Sequence, residues 1–344
     1  MLKLQALIYS RVEIYTKIQL KIVKILDVIK INKRSLYTLF MESKVIFSVV
    51  IPTRNRENSL RNLVDKINKQ TLLPDELIIV DSSDEKQFLY DDINKSIKYL
   101  HTDKKSAAKQ RNIGLSSVKE NTQILFFLDD DTNPESTYFE DMIGTLISLN
   151  AVGVSGIAIN PEKIARVKPV GVNGFLKKIS FLDSKIDGKL LISGVGIPVR
   201  EGESSITEVD WLIGCSCWDF QKIKRLKFEE DFMGYSLGED VIFSVKARKI
   251  GKLFVNRNIA LNHMELPQAD PNLIKYYYMW VYYRFRLSRY VDNKIIFYFA
   301  FYLSVLAKVI YSLIEMPIKP IKNLKQLTGL TRGLLNIFSD VFKR

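Results

Sequence analysis

The sequence predicts an α/β fold with a doubly wound, mainly parallel sheet and a helical extension at each end. Two observations predict it. Apolar, β-branched runs alternate with helical stripes over about 90 residues from residue 45 onward, which is typical of parallel strands joined by crossover helices. The excess of positive charge lies outside this region, in residues 1–43 and 275–344. The first observation defines the domain, and the second separates it from its ends.

The first strand is predicted over residues 45–51. Its sequence, VIFSVVI, is an almost continuous apolar run, as expected for a strand buried on both faces of a parallel sheet. Pro52 ends the strand, and polar residues 53–59 lead into a helix with an apolar stripe over 60–67. Strand, loop and helix therefore follow one another as in half of a crossover unit.

Three further strands are predicted over residues 77–80, 97–100 and 124–128. A helix is predicted over 106–117, with Gly114 inside it. Because strands and helices alternate, we expect these strands to run parallel and to end at the same edge of the sheet.

The second half of the domain is less regular. One strand is expected within residues 151–159, and another over 253–261, after a helix that begins at Glu239 and ends near Gly251. Residues 160–208 show no clear period and are expected to form a long functional excursion.

Composition narrows the class of protein. A hydrophobic content of 47% and a charged content of 26% exclude a disordered chain. The two cysteines, Cys215 and Cys217, are too close together to bridge each other, which excludes a disulfide scaffold and favours a reducing, cytosolic compartment. The presence of only two histidines excludes a multi-histidine metal site.

The net charge of +13 is carried by the two ends of the chain. Residues 1–43 carry +5, residues 275–344 carry +9, and the residues between them carry −1. A nucleic-acid-binding domain more often carries its basic patch on the folded body, so no nucleic acid is expected as a partner. Basic ends around a near-neutral body favour attachment to an anionic membrane surface.

Residues 1–43 are predicted to contain an amphipathic basic helix, because apolar residues recur at spacings of three, four and seven and lysines line another face. This helix either packs on its own domain or lies in a membrane interface, and a partner helix is a further alternative. No uninterrupted apolar core precedes a cleavage site, so a secretory signal is not expected.

Residues 275–344 are predicted to be a helical, aromatic and basic region that associates with the membrane. The run 295–307 is nearly all hydrophobic, but Lys308 interrupts it. The run is therefore shorter than the roughly 20 apolar residues that a membrane span requires. We therefore expect the helix within 295–316 to lie in the interface, with a buried helix or a true span as alternatives. The aromatic and basic run 276–286 is expected to face the membrane rather than stack on nucleic-acid bases.

Three polar clusters follow predicted strands, at residues 53–55, 81–84 and 129–131. Ligands of parallel α/β sheets bind at the carboxyl ends of the strands, so these clusters predict the site. No G-x-G-x-x-G or G-x-x-x-x-G-K-[ST] motif follows the first strand, which argues against a dinucleotide-binding fold and a P-loop NTPase. The three consecutive carboxylates of 129–131 favour a hard divalent cation such as Mg²⁺ or Mn²⁺. The alternative is a solvated acidic turn before the next helix.

Five motifs occur in order: VVIPTRNR at 49–56, IVDSS at 79–83, AAKQRNIG at 107–114, FLDDD at 127–131 and GED at 238–240. Together they resemble family 2 glycosyltransferases, which are inverting enzymes with the GT-A fold. The resemblance covers about 45–265. It implies a GT-A catalytic domain over 44–274, with a donor half at about 44–150 and an acceptor half at about 151–274.

The resemblance also implies roles for individual residues. Those implied to bind the nucleotide-sugar are Pro52, Thr53, Asn55, Asp81, Arg111, Asp129 and Asp130. The metal is implied to be held by Asp131, with Asp129 and a downstream histidine, His263. An inverting transfer needs a carboxylate to take the proton from the attacking hydroxyl, and the GED motif assigns this to Asp240, with Glu239 as the second candidate.

The function expected from these features is the transfer of a sugar from a nucleotide-diphosphate donor, a UDP-sugar, to a glycan or lipid-linked acceptor. The basic apolar ends place the enzyme at the cytoplasmic face of the cell membrane, in the synthesis of an envelope or capsular polysaccharide. Two alternatives stay open: a membrane scaffold that has kept the fold without catalysis, and a nucleotidyltransferase on a similar sheet.

Overall fold

The computed structural model describes residues 44–85, 97–159, 177–203, 205–231, 236–263 and 272–342. The chain divides into two units, Met1–Val45 and Ile46–Arg344. The amphipathic helix predicted within residues 1–43 lies outside the described residues, as do residues 160–176 of the predicted excursion. All elements named below belong to the second unit.

The described residues form nine strands and eight helices. The strands are β1 (Phe47–Thr53), β2 (Glu76–Asp81), β3 (Ile97–His101), β4 (Ile124–Phe127), β5 (Thr132–Pro134), β6 (Gly153–Ile159), β7 (Ile206–Val209), β8 (Ser216–Asp219) and β9 (Leu253–His263). The helices are α1 (Glu57–Ile67), α2 (Ala107–Ser117), α3 (Tyr138–Ser148), α4 (Phe220–Ile223), α5 (Glu239–Arg248), α6 (Leu273–Leu287), α7 (Lys294–Ile314) and α8 (Pro320–Phe342). Every strand predicted from the apolar runs is present, with bounds that differ by a few residues.

The strands form one sheet in the order β3-β2-β1-β4-β8-β6-β9-β5, and β7 also pairs with β9. The donor half, β3 to β4, is parallel as predicted, with Val50 paired to Ile78 on one side and to Phe127 on the other. The acceptor half is mixed. β8 is antiparallel to β4 and β6, whereas β6 and β9 are parallel. The α/β prediction is confirmed, and the antiparallel β8 is the feature that the sequence pattern did not indicate.

Gly114 shows how closely α2 packs on the sheet. A Cβ atom at this position would lie 2.4 Å from Cγ1 of Val50, in the middle of β1. A glycine inside a helix costs about 1 kcal/mol relative to alanine, and here the close approach of helix and strand requires it. This packing holds α2, which carries Arg111, against the strand that leads into the site.

The C-terminal helices share a hydrophobic core with α5. Val241 and Ile242 of α5 are buried against Val281 of α6 and Phe301 of α7, and residues of α8 complete this cluster. Residues 46–344 therefore form one compact unit, and the predicted boundary after residue 274 lies within α6. Among the described residues, α7 is the one helix long and apolar enough to cross a membrane, by length and composition alone.

Candidate active site

The carboxyl ends of β1, β2 and β4 meet at one edge of the sheet. Thr53 at the end of β1 pairs with Asp81 at the end of β2, and the Leu128 N–H donates to the carbonyl of Val50. Because the parallel strands are in register, the polar residues that follow them lie side by side. Pro52 and Thr53, both predicted nucleotide contacts, are buried at this edge.

Arg56 holds two of the three consecutive carboxylates. Its Nη1 lies 3.0 Å from Oδ1 of Asp130 and 2.7 Å from Oδ2 of Asp131. Thr53 Oγ1 donates to the other oxygen of Asp130 at 2.7 Å. Burial raises the pKa of Asp130 to about 6, although Thr53 and Arg56 both act to lower it. The positive charge of Arg56 therefore lies between the carboxylates of Asp130 and Asp131.

A second network joins the loops after β1 and β2. Asn55, which has a left-handed backbone with φ of 54°, donates its backbone N–H to Ser83 Oγ at 2.7 Å and its side chain to Asp84 at 3.1 Å. The buried Asp81 accepts from Ser83 N–H at 2.8 Å and from the Tyr99 hydroxyl at 2.5 Å. Ser83 thus joins the two loops.

Arg111 connects the two halves of the domain. From α2, its Nη2 lies 2.6 Å from Oδ1 of Asp129, and its Nη1 forms an ion pair with Oε1 of Glu239. Arg111 and Glu239 are buried, with 3% and 5% of their surfaces exposed. Gly214 lies beside this bridge, since a Cβ there would be 2.9 Å from Arg111 Nη2. One carboxylate after β4, Asp129, and one at the start of α5, Glu239, therefore share one guanidinium.

The start of α5 is shaped by Gly238, which has φ of +85° in the left-handed region. A Cβ atom there would collide with the ring of Tyr283 from α6, at 2.2 Å. The next two residues are Glu239 and Asp240. Burial raises the pKa of the Asp240 carboxyl to about 6, Arg111 acts to lower it, and the charge of Asp129 acts to raise it. Asp240 is therefore within electrostatic range of both Arg111 and Asp129.

The last candidate, His263, is at the end of β9. Its backbone pairs with that of Thr132 where β5 and β9 run antiparallel, and Thr132 directly follows Asp131 in the chain. Its side chain lies outside the described part of the structure. Within that part, no group of three or more His, Cys, Asp or Glu side chains is arranged to hold a metal ion.

The structure thus forms two contact groups at this edge. Thr53 and Arg56 hold Asp130, and Arg56 also holds Asp131. Arg111 joins Asp129 to Glu239, and the charges of Arg111 and Asp129 act on Asp240. Arg56 belongs to the first motif, but no signal in the sequence assigned it a role. Cys215 is buried and free, and its Sγ accepts the N–H of Asp129 at 3.4 Å.

Comparison with known proteins agrees with the predicted resemblance. Residues 48–186, about two fifths of the chain, match the model of the family described as Glycosyl transferase family 2. The matched segment contains four of the five motifs. No curated protein sequence matches the chain.

Solved structures share the fold at low sequence identity. TarS 1-349 of S. aureus in complex with UDP-GlcNAc aligns with a TM-score of 0.55 at 15% identity, over 83% of this chain and 79% of that one. GalNAc-T7 with UDP, GalNAc and Mn²⁺ aligns with a TM-score of 0.51 at 16% identity, over 69% of this chain and 48% of that one. The chain covers 42% of a longer S. aureus TarS structure. The likeness establishes the GT-A fold.

Proposed function

We propose that the protein is an inverting glycosyltransferase that moves a sugar from a UDP-sugar to an acceptor hydroxyl. One observation carries the proposal: Arg111 joins Asp129, after β4, to Glu239, at the start of α5. A displacement at an anomeric carbon needs groups for the leaving diphosphate on one side and a base on the other. The bridge supports such a site, because Asp129 belongs to the donor side and Glu239 directly precedes Asp240, the proposed base.

Asp240 is the proposed catalytic base. It takes the proton from the acceptor hydroxyl as that oxygen bonds to the anomeric carbon, while the bond between this carbon and the diphosphate oxygen breaks on the opposite face. A carboxyl whose pKa is raised to about 6 is still ionised at neutral pH and accepts a proton more readily than an ordinary aspartate. Glu239, fixed by Arg111, positions the start of α5.

The donor diphosphate is proposed to lie along the carboxyl ends of β1 and β4. Guanidinium groups bind diphosphates through charge-assisted hydrogen bonds, and Arg56 and Arg111 both contact carboxylates that follow β4 at this edge. The proposed donor contacts also include Pro52, Thr53, Asn55 and Asp81. The UDP and UDP-GlcNAc named in the TarS structures and the UDP in that of GalNAc-T7 support a uridine nucleotide.

Asp131 and Asp129, with His263, are proposed to hold Mg²⁺ or Mn²⁺. The donor chemistry fits, because carboxylate oxygens suit hard divalent ions and both carboxylates already contact a cationic nitrogen, Asp131 that of Arg56 and Asp129 that of Arg111. When bound, the ion neutralises charge on the leaving diphosphate. The Mn²⁺ named in the GalNAc-T7 structure supports a metal in this fold.

The acceptor is proposed to be a glycan or lipid-linked sugar at the inner face of the cell membrane, within the synthesis of an envelope or capsular polysaccharide. The net charge of +9 on residues 275–344 and the apolar helix α7 support a membrane location. Binding of the protein to the membrane would bring the site to an acceptor that does not diffuse in solution.

A panel of nucleotide sugars, each with and without Mg²⁺ or Mn²⁺, tests the proposal by release of nucleoside diphosphate. We expect release from a UDP-sugar, dependent on the divalent ion, and loss of release in Asp240→Asn. Asp103→Asn, which changes an exposed carboxylate, is the matched control. The anomeric configuration of the product, read by NMR, tests inversion. Absence of release with every donor, or full activity of Asp240→Asn, would overturn the proposal.

A further inference from the structure

The two arginines that contact the carboxylates after β4 differ in how firmly they are held. Arg111 has 4% of its side chain exposed and bridges the two halves of the domain. Arg56 has 31% of its side chain exposed, and it forms ion pairs with the adjacent Asp130 and Asp131. Because part of the Arg56 side chain already faces solvent, its guanidinium can leave these carboxylates without opening the core.

The backbone of Arg56 is fixed, although its side chain is not fully buried. Arg56 directly precedes α1, and its carbonyl accepts from the Leu60 N–H at 3.0 Å in the first turn of that helix. The loop before it contains Thr53 and Asn55, which are proposed donor contacts. The guanidinium is thus attached beside the loop proposed to bind the donor, and a change of side-chain rotamer is enough to change its partner.

The two carboxylates that Arg56 holds differ in their other contacts. Asp130 also accepts from Thr53 at 2.7 Å, so each of its oxygens has a partner within the protein. Oδ2 of Asp131 accepts from Arg56 at 2.7 Å. Asp131 is a proposed metal ligand, and a divalent cation and a guanidinium on one carboxylate repel each other. The cation and Arg56 therefore compete for Asp131.

We propose that Arg56 couples the binding of the divalent cation to the binding of the nucleoside diphosphate by exchanging partners. The cation displaces the guanidinium from Asp131, and the released guanidinium binds the diphosphate through charge-assisted hydrogen bonds. Each ligand then favours the other through Arg56, in addition to any direct contact between them, and this coupling is reciprocal. The inference rests on the metal and donor sites of the proposed function, but on no step of sugar transfer.

Binding of Mn²⁺ and UDP to Arg56→Gln tests the exchange without turnover. Electron paramagnetic resonance measures Mn²⁺ affinity without nucleotide, and calorimetry measures UDP affinity at saturating Mn²⁺. We expect Arg56→Gln to bind Mn²⁺ about tenfold more tightly than the wild type, because the competing cation is gone. We expect it to bind UDP about tenfold more weakly, because the guanidinium contact is lost. The factor by which UDP tightens Mn²⁺ binding should therefore fall about tenfold.

Two further variants control for charge and folding. Arg61→Gln removes an arginine of α1 whose ion pair with Glu57 is exposed, and it should change neither affinity. Arg56→Lys keeps the positive charge, so it should bind Mn²⁺ as the wild type does. Circular dichroism checks that each variant is folded. Tighter Mn²⁺ binding by Arg56→Lys as well would show that the charge of Arg56 is not the competitor, and would overturn the proposal.

The signs of the two changes in Arg56→Gln separate the alternatives. A residue that only binds the diphosphate would leave Mn²⁺ affinity unchanged, a fixed counter-ion would leave UDP affinity unchanged, and a purely structural residue would weaken both. Each of these results would overturn the exchange. If the wild type and Arg56→Gln both fail to bind Mn²⁺, the proposed metal site is wrong as well. Opposite changes in the two affinities, without nucleoside diphosphate release from any donor, would support the exchange while the proposed transfer fails.

Discussion

Removing the guanidinium that joins the two halves of the site should destabilise the protein, and Arg111→Met is the variant to make. Methionine keeps much of the side-chain length but carries no charge, so the buried Glu239 loses its ion partner. Breaking a buried ion pair by removing one partner costs about 3–5 kcal/mol. The carboxylate of Asp129 is 32% exposed, so water compensates most of its loss. We therefore expect a destabilisation of about 3 kcal/mol, arising mainly at Glu239.

Urea unfolding of the full chain measures this loss, and double-mutant cycles divide it between the two partners. The cycle of Arg111→Met with Glu239→Gln should show a coupling of about 1–3 kcal/mol, because the double variant no longer buries an unpaired charge. The cycle with Asp129→Asn should show a coupling below about 1 kcal/mol. Arg61→Met is the matched control, since its ion pair with Glu57 is exposed and should contribute less than about 0.5 kcal/mol.

Two results would refute this reasoning. Additive effects of Arg111→Met and Glu239→Gln would mean that the buried pair does not form in solution. Equal coupling in both cycles would mean that burial does not decide the strength of the two contacts. Arg111→Lys should fall between the wild type and Arg111→Met, because a single ammonium group cannot reach both carboxylates.

Three further predictions concern catalysis and packing. Asp240→Asn should lower kcat about 10²–10⁴-fold, with an unchanged donor Kd in calorimetry. In the wild type, kcat/KM should fall tenfold per pH unit below about pH 6, because the base must be ionised. A pH-independent rate between pH 5 and 7 would contradict the assignment. Asp131→Ala should weaken Mn²⁺ binding measured by electron paramagnetic resonance, and unchanged Mn²⁺ affinity would exclude Asp131 as a ligand. Gly114→Ala should destabilise the protein by about 1–3 kcal/mol in urea unfolding, because the added Cβ meets Val50. Adding Val50→Ala should relieve this clash and restore stability. A Gly114→Ala variant that is more stable than the wild type would show that α2 shifts freely.

Much of the donor half could be predicted from the sequence alone. Strands buried on both faces need nearly continuous apolar runs, so β1, β2 and β4 leave a local signal. The ends of parallel strands share one edge, so the polar residues that follow them could be placed together before any coordinates were known. Helix α7 was likewise marked by the nearly all-hydrophobic run 295–307, which is a local feature of the sequence.

Only the tertiary structure determines the contacts between distant parts of the chain. Arg56 reaches carboxylates more than 70 residues away, and Arg111 joins Asp129 to Glu239 across the two halves of the domain. The antiparallel direction of β8 and the packing of α6 against Gly238 likewise depend on the path of the chain. Residue type and spacing report which groups a segment offers, whereas the partner of each group is set by long-range packing that no local pattern encodes.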